Sequence, residues 1–326
     1  MKVEILKSSE TFNHLLPIVA SEQYLRARSN FEYGWFKSKK MILPFILEKK
    51  AFFKRVVFTH GVIFLGATSL EEEKEFLNNV IKICSDLGVD FICQPHTSAL
   101  FRTFPNNSIC CEFGSYQVDL SLDENRLFKN VHQKHRNVIR KAIRDGVQIV
   151  VGKELLETCA NLIKMTKVRQ KLTYMSKEQL KKISEELGDN VLFYVAMSNG
   201  VAQGCAVIVW NEGHTSYYLC GGSVDRPAVG AINYLHWKAM LDMKTKGVKK
   251  YDFMGARILP IPGSKQETMQ RFKARFGGTM VRGYLWKYII NKLSYKLFKF
   301  TALTVNQVRG KKYVGDIIDA ETTCYV

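Results

Sequence analysis

The residues best suited to chemistry lie in segment 251–278, which reads YDFMGARILPIPGSKQETMQRFKARFGG. Arg271, Lys273 and Arg275 alternate there with aromatic residues, ahead of Gly277 and Gly278. A lysine fixed in such a turn can stabilise the oxyanion of a tetrahedral intermediate or neutralise a phosphate. Neighbouring cations would also make its proton easier to lose. Taken alone, these residues fit a solvated cation at a helix end better.

Other candidates are spread along the chain. Arg136 and Arg140 offer paired donors suited to a phosphate or carboxylate, or else they form a basic helix face. Asp119, in Tyr116-Gln-Val-Asp-Leu120, is a candidate base for an attacking ammonium, or a cap for the helix that follows. The junction Gly221–Ala231 is glycine-rich and precedes a helix, so its amides could meet a phosphate, with Arg226 and Gly230 in the turn. Tyr218 and Tyr234 are candidates to line a cleft, although aromatics at this spacing also suit a core. His132 and His135 share a helix face without a companion acid or cysteine, and no metal site is expected. No GxSxG or paired Cys/His spacing occurs, which is compatible with transfer by direct attack of an amine.

The elements that must position these residues follow from periodicity. The first half reads as mixed α/β: strands near 2–6, 34–37, 41–47, 56–65 and 91–94, a short helix at 10–19, and a helix opened by Ser69. The second half begins with a strand at 116–120. A single helix over 123–145 comes next, closed by Gly146, then a strand at 147–151 and helices at 153–168 and 176–187. Strands at 191–197, 202–210 and 215–220 turn at Gly200 and Gly213. A helix to Thr245 and a strand at 250–253 complete the unit. An antiparallel meander followed by a helix and a further strand is the order found in GNAT acyltransferases.

Several motifs together resemble the FemABX family of peptidoglycan bridge-forming aminoacyltransferases. They are Tyr251-Asp-Phe-Met-Gly255, Phe272-Lys-Ala-Arg-Phe-Gly-Gly278, Tyr217-Tyr-Leu219, the helix segment 231–237 and the basic segment HQKHRNVIRKAIRDG at 132–146. The resemblance covers about residues 115–286, and the first 110 or so only by architecture. It implies an α/β (α+β) fold of two GNAT-like domains, each a mixed, mostly antiparallel sheet flanked by helices, the first degenerate. The expected division is 1–114, a catalytic domain at 115–286, and a basic tail at 287–326. The family's functional lysine falls on Lys273. The resemblance also implies an aminoacyl-tRNA donor, no bound cofactor, and an amine of a cell-envelope precursor as acceptor. Two other readings stay open. One is a GNAT N-acyltransferase using acyl-CoA on an amino sugar, suggested by the Arg226–Ala231 loop, which has one residue too many for the GNAT pyrophosphate pattern. The other is a non-catalytic nucleic-acid- or membrane-binding protein.

Charge bears on partners. The 326-residue chain carries +18, and residues 244–312 hold 17 Lys/Arg against two acids, Asp252 and Glu267. Such a field favours nucleic acid, phosphorylated nucleotides or an anionic membrane surface. Eight cysteines without CxxC spacing read as free thiols in a reducing cytoplasm. No run reaches the ~18 apolar residues of a membrane span. The stretch Tyr284–Phe300 reads as a basic amphipathic helix, either packed on the core or lying on the inner face of the plasma membrane.

Overall fold

The computed structural model describes residues 1–50, 52–308 and 315–322. The chain divides into two compact units, one formed by Met1–Gly114 with Arg282–Val326 and the other by Ser115–Val281. The tail expected as a separate segment from 287 therefore clusters with the first unit, and the chain returns to that unit at Arg282.

In the first unit, strands Glu4–Leu6, Glu32–Lys37, Met41–Lys50 and Phe53–Phe58 form an antiparallel series. Phe91–Ile92 joins Phe53–Phe58 in parallel, and the 282–289 part of strand Thr279–Ile289 pairs antiparallel with Phe91–Ile92. The 41–47 part of Met41–Lys50 is apolar on both faces because both are covered. Met41, Leu43, Phe45 and Leu47 meet Phe76, Leu77 and Val80 of helix Leu70–Asp86. Ile42 and Ile46 meet Phe12, Leu25 and Trp35. Ser69 and Glu72 close a capping box at that helix's start.

Two expectations for this unit are corrected. Segment 10–19 holds two short 3-10 turns, and the helix lies later, at Glu22–Arg28. Residues 284–289 continue a strand, and the helix begins only at Lys292. Leu285 packs with Cys111, Phe113 and Ile318, whereas Trp286 packs with Phe58 and Phe101. Adjacent apolar residues that enter two different clusters are what a strand with two covered faces presents, and their run imitates a broad helical arc.

In the second unit the strands run, in spatial order, 115–119 of Ile109–Asp119, Lys250–Asp252, Thr215–Ser223, Val201–Val209, Val191–Ser198 and Gln148–Val151. Thr215–Ser223 and Lys250–Asp252 are the one parallel pair among them, joined through helix Ala231–Thr245. This helix and helix Gln133–Arg144 cover one face, with Tyr194, Ala196, Ala206 and Ile208 beneath them. Helix Leu156–Arg169 covers the other so closely that a Cβ on Gly222 would sit 2.3 Å from the Leu162 carbonyl oxygen. Val207 pairs with Cys220 and Ile208 with Tyr218, so Leu219 is a bulge. The bulge places Tyr218 on the face of helix Ala231–Thr245, against His236.

The single helix expected over 123–145 is two helices, Glu124–Asn130 and Gln133–Arg144. Val131 is extended, and the His132 side chain accepts from the Lys134 amide to start the second helix. The apolar spacing continues across the break, which hides it from a reading of period alone.

Candidate active site around Lys273

Lys273 lies on helix Lys265–Ala274, which Ser264 caps by accepting from the Glu267 amide. The helix turns Gln270 and Lys273, three residues apart, to its buried side. Both hold the loop that follows strand Lys250–Asp252. Gln270 donates to the Arg257 carbonyl (2.7 Å) and accepts from the Arg257 amide (3.0 Å). Lys273 Nζ donates to the carbonyls of Met254 and Gly255, the latter at 2.6 Å.

The loop conformation makes this possible. Met254 and Gly255 are both left-handed, with φ of 50° and 63°. A methionine in that region is strained and must be held there. Asp252 supplies the hold: its Oδ1 accepts from the Met254 amide (2.6 Å) and from the Ser115 hydroxyl, and its Oδ2 accepts from Gln117 Nε2 (2.8 Å). Burial pushes the Asp252 carboxyl above its usual range, against the pull of these donors.

Lys273 is 9% exposed. Burial lowers its pKa to about 8, Asp252 works against that shift, and Lys167 adds to it. The expectation that Arg271 and Arg275 would ease deprotonation is thus replaced by desolvation and a lysine from helix Leu156–Arg169. At neutral pH the side chain remains mostly an ammonium. Two of its N–H groups serve the carbonyls, which leaves one for a ligand.

Aromatic rings enclose the site. Phe253, Phe272 and Phe276 pack on His236, which faces Tyr251 Oη at 2.9 Å. Burial, with Lys273 nearby, lowers His236 to about 3. His135 packs on Phe272 and Phe276 and falls to about 4 through burial, Arg275 and His132. Both imidazoles are neutral at physiological pH. His135 Nε2 is buried and has no hydrogen-bond partner among the described residues.

The remaining candidates separate. Tyr218 joins the cluster, its ring 4.7 Å from His236, and burial raises its hydroxyl pKa. Tyr234 packs part-buried on the core beneath the helices. Arg271 points outward to Glu267 (3.2 Å). Arg275 is half-buried, and its carbonyl accepts from the His132 amide (2.8 Å). Arg136 donates to the carbonyls of Lys129 (2.6 Å) and Val131 (2.5 Å), closing the end of helix Glu124–Asn130. Arg140 lies over the Phe128 ring (5.2 Å). Arg226 is exposed in the turn. Gly230 has φ of 78°, and a Cβ there would come within 2.0 Å of the Val138 carbonyl, so the glycine lets two helices touch. In that same turn the Ala228 amide already donates to Gln203 (2.9 Å) and the Ala231 amide to Ala228 (3.0 Å).

Asp119 stands apart from this cluster. Its carboxylate accepts from the Ser121 amide (2.9 Å) and hydroxyl (2.7 Å), which holds its pKa below the usual range. The helix cap is instead Asp123, which accepts from the Arg126 amide (2.9 Å). Asp119 lines a separate hollow of about 530 Å³ with Ser121, Asn130, Lys249, Lys250 and Thr279. Among the described residues no hydrogen bond or ion pair joins it to Lys273, and no group of three His, Cys, Asp or Glu could hold a metal.

Gln270, Ser115, Gln117 and Lys167 were not singled out from sequence. For Gln270 a signal existed, since it shares a helix face with Lys273. Arg169 was also missed. It donates to the Ser223 carbonyl (3.3 Å), and Thr166 bonds the same residue, which ties the end of helix Leu156–Arg169 to the Gly221–Ser223 strand end.

Comparison with known proteins bears on the family and the fold. Residues 113–203 match the FemAB family. The fold is similar to a crystal structure of FemX (TM-score 0.69, 12% identity, 92% of this chain and 100% of that one). It is also similar to a conserved protein of unknown function from Bacteroides thetaiotaomicron (TM-score 0.58, 10% identity, 88% and 100%). A third similar structure is L-PGS from Bacillus licheniformis (TM-score 0.50, 13% identity, 83% and 88%). No curated protein matches in sequence. Residues 113–203 are thus FemAB-like, and the fold of the chain is similar to that of FemX.

Proposed function

We propose that this FemAB-like chain is an aminoacyltransferase that forms an amide on an amine of a cell-envelope precursor, working in the cytoplasm with aminoacyl-tRNA as donor. The observation that carries the reading is Lys273: a buried lysine with a lowered pKa, clamped by two left-handed carbonyls, with one N–H unspent. In the reaction the acceptor amine, once deprotonated, attacks the ester carbonyl of the aminoacyl group. The C–O bond to the tRNA ribose breaks, an amide forms, and the ribose oxygen leaves with a proton. Negative charge builds on the carbonyl oxygen between these steps, and the free N–H of Lys273 is a donor suited to that oxygen. The Asp252 brace and the Gln270 clamp keep the donor in place without reorganisation. The basic surface of the chain favours an RNA donor.

Acyl-CoA is the second reading, and the GNAT-like fold favours it. The turn that suggested it is weaker support than it was in the sequence. Gly230 is accounted for by helix contact, and the Ala228 and Ala231 amides are already occupied.

Labelled aminoacyl-tRNA or labelled acyl-CoA, incubated with the protein and an envelope-precursor extract, tests both. Transfer from tRNA that persists without coenzyme A and disappears in Lys273→Ala is the expected outcome. Transfer from acyl-CoA alone would replace the donor. Transfer from neither would leave a binding protein on an acyltransferase fold.

A further inference from the structure

Helix Lys292–Val308 belongs to the first unit and has two apolar sides. One side is its anchor. Tyr295 is buried against Phe91, and Phe298, which looked out of pattern in the sequence, packs 5.2 Å from Phe53 and 5.1 Å from Phe91. Asn291 secures the start, accepting from the Leu293 and Ser294 amides and donating to Asp90. The other side is bare. Leu293, Leu297 and Phe300, at steps of four and three, are 78%, 43% and 67% exposed. Leu303 continues the exposed surface.

The charges on this helix have one sign. The segment 292–308 contains Lys292, Lys296 and Lys299 and no acid. On a helical wheel the lysines run along one flank of the stripe, and Ser294 and Thr301 along the other. Opposing charges come from other elements: Asp90 accepts from Asn291 at the helix start, and Asp319 lies 3.6 Å from Lys299, although Lys287 holds that carboxylate more tightly at 2.7 Å. A neighbouring element exposes a further ring, next to Phe53, which packs on Phe298. Phe52, at the tip of the hairpin beside Phe53, is 72% exposed and follows Lys49 and Lys50.

We propose that this face of the first unit docks on an anionic lipid bilayer, with Leu293, Leu297, Phe300 and Phe52 entering the interface and the lysines meeting acidic headgroups. An exposed apolar stripe with a cationic flank and no acid on its own helix suits that surface. RNA would engage the lysines but leave the leucines and phenylalanines in water. The helix does not span the bilayer: among the described residues no helix is long and apolar enough to cross a membrane. The sequence had posed a packed helix against a membrane helix. The structure combines the two, with one side packed and the other available.

Sedimentation of the full chain with vesicles of phosphatidylcholine, with and without phosphatidylglycerol, tests the proposal. Binding is expected only with phosphatidylglycerol, and it weakens as salt rises. Leu293→Ser with Phe300→Ser should reduce it about tenfold or more, and so should Lys292→Gln with Lys296→Gln. Val201→Ser, an exposed apolar residue of the other unit, should not change it. These positions are exposed, so circular dichroism and melting should match the parent protein. Three outcomes would overturn the assignment: no binding to acidic vesicles, binding that the Leu293/Phe300 variant leaves intact, or a self-association in sedimentation velocity that this variant abolishes in place of vesicle binding.

Discussion

Lys273 is an ammonium at neutral pH that sits close to losing its proton, and its role can be read from pH. A donor to an oxyanion must be charged, so the transfer rate should fall as pH rises through about 8. A rate that rises through the same range would make the lysine a base. Stability changes in the opposite sense. Between about 8 and the unfolded lysine value near ~10.4 the unfolded chain binds the extra proton, so this group's contribution to stability increases with pH across that window. Lys273→Met should lower turnover by about 10² or more. It should also cost about 1–3 kcal/mol in urea unfolding, because the carbonyls of Met254 and Gly255 lose their partner. The two arginines of the basic helix should differ. Arg136→Ala removes charged hydrogen bonds to two carbonyls and is expected to cost about 1.5–3 kcal/mol by the same measurement. Arg140 is exposed over Phe128, and its replacement by alanine should cost at most about 1 kcal/mol.

At the scale of elements, the site depends on how closely helices approach one another and the sheet. Gly230 is where helix Ala231–Thr245 meets helix Gln133–Arg144. Gly230→Ala would combine a positive φ with a Cβ 2.0 Å from the Val138 carbonyl. We expect a loss of about 2 kcal/mol or more, seen as a lower thermal midpoint, since the backbone of one helix must move. The same shift would loosen the contact of His236 with Phe272 and Phe276, so activity should fall along with stability. The break at Val131-His132 has a comparable purpose. It lets the His132 amide bond the Arg275 carbonyl at 2.8 Å, which joins the basic helix to the end of the helix that carries Lys273.

For the whole molecule, the first unit is discontinuous in sequence, and its core needs the C-terminal segment. Trp286 enters the cluster of Phe58 and Phe101, and Lys287, 1% exposed on its side chain, is held by Asp316 and Asp319. A chain ending at Val281 should therefore lose cooperative unfolding of the first unit, observable in calorimetry as a missing transition. Lys287→Met would strand two carboxylates that are themselves partly solvated, and about 3 kcal/mol is a reasonable upper expectation. These carboxylates and the partners of Lys287 lift its pKa, so their support is complete below the unfolded lysine value and is lost only at strongly alkaline pH. Because of this dependence, point substitutions on the outer face of helix Lys292–Val308 are a cleaner test of lipid docking than truncation.

The amino-acid sequence by itself determined the local matters, the meander with its turns at Gly200 and Gly213 and the capping box at Ser69, and it singled out Lys273 as a candidate among 48 basic residues. Each is written in neighbouring residues, through period, turn chemistry or motif. Tertiary structure alone decided what surrounds that lysine. The Ser115 that braces Asp252 is 137 positions away from it, and Lys167 acts on Lys273 from a different helix. It also decided that 284–289 is a strand and that Phe298 faces inward, because a continuous apolar run does not say which sides will be covered. Desolvation and register arise from segments meeting across long separations, and these set the pKa of Lys273 and the open face of the C-terminal helix.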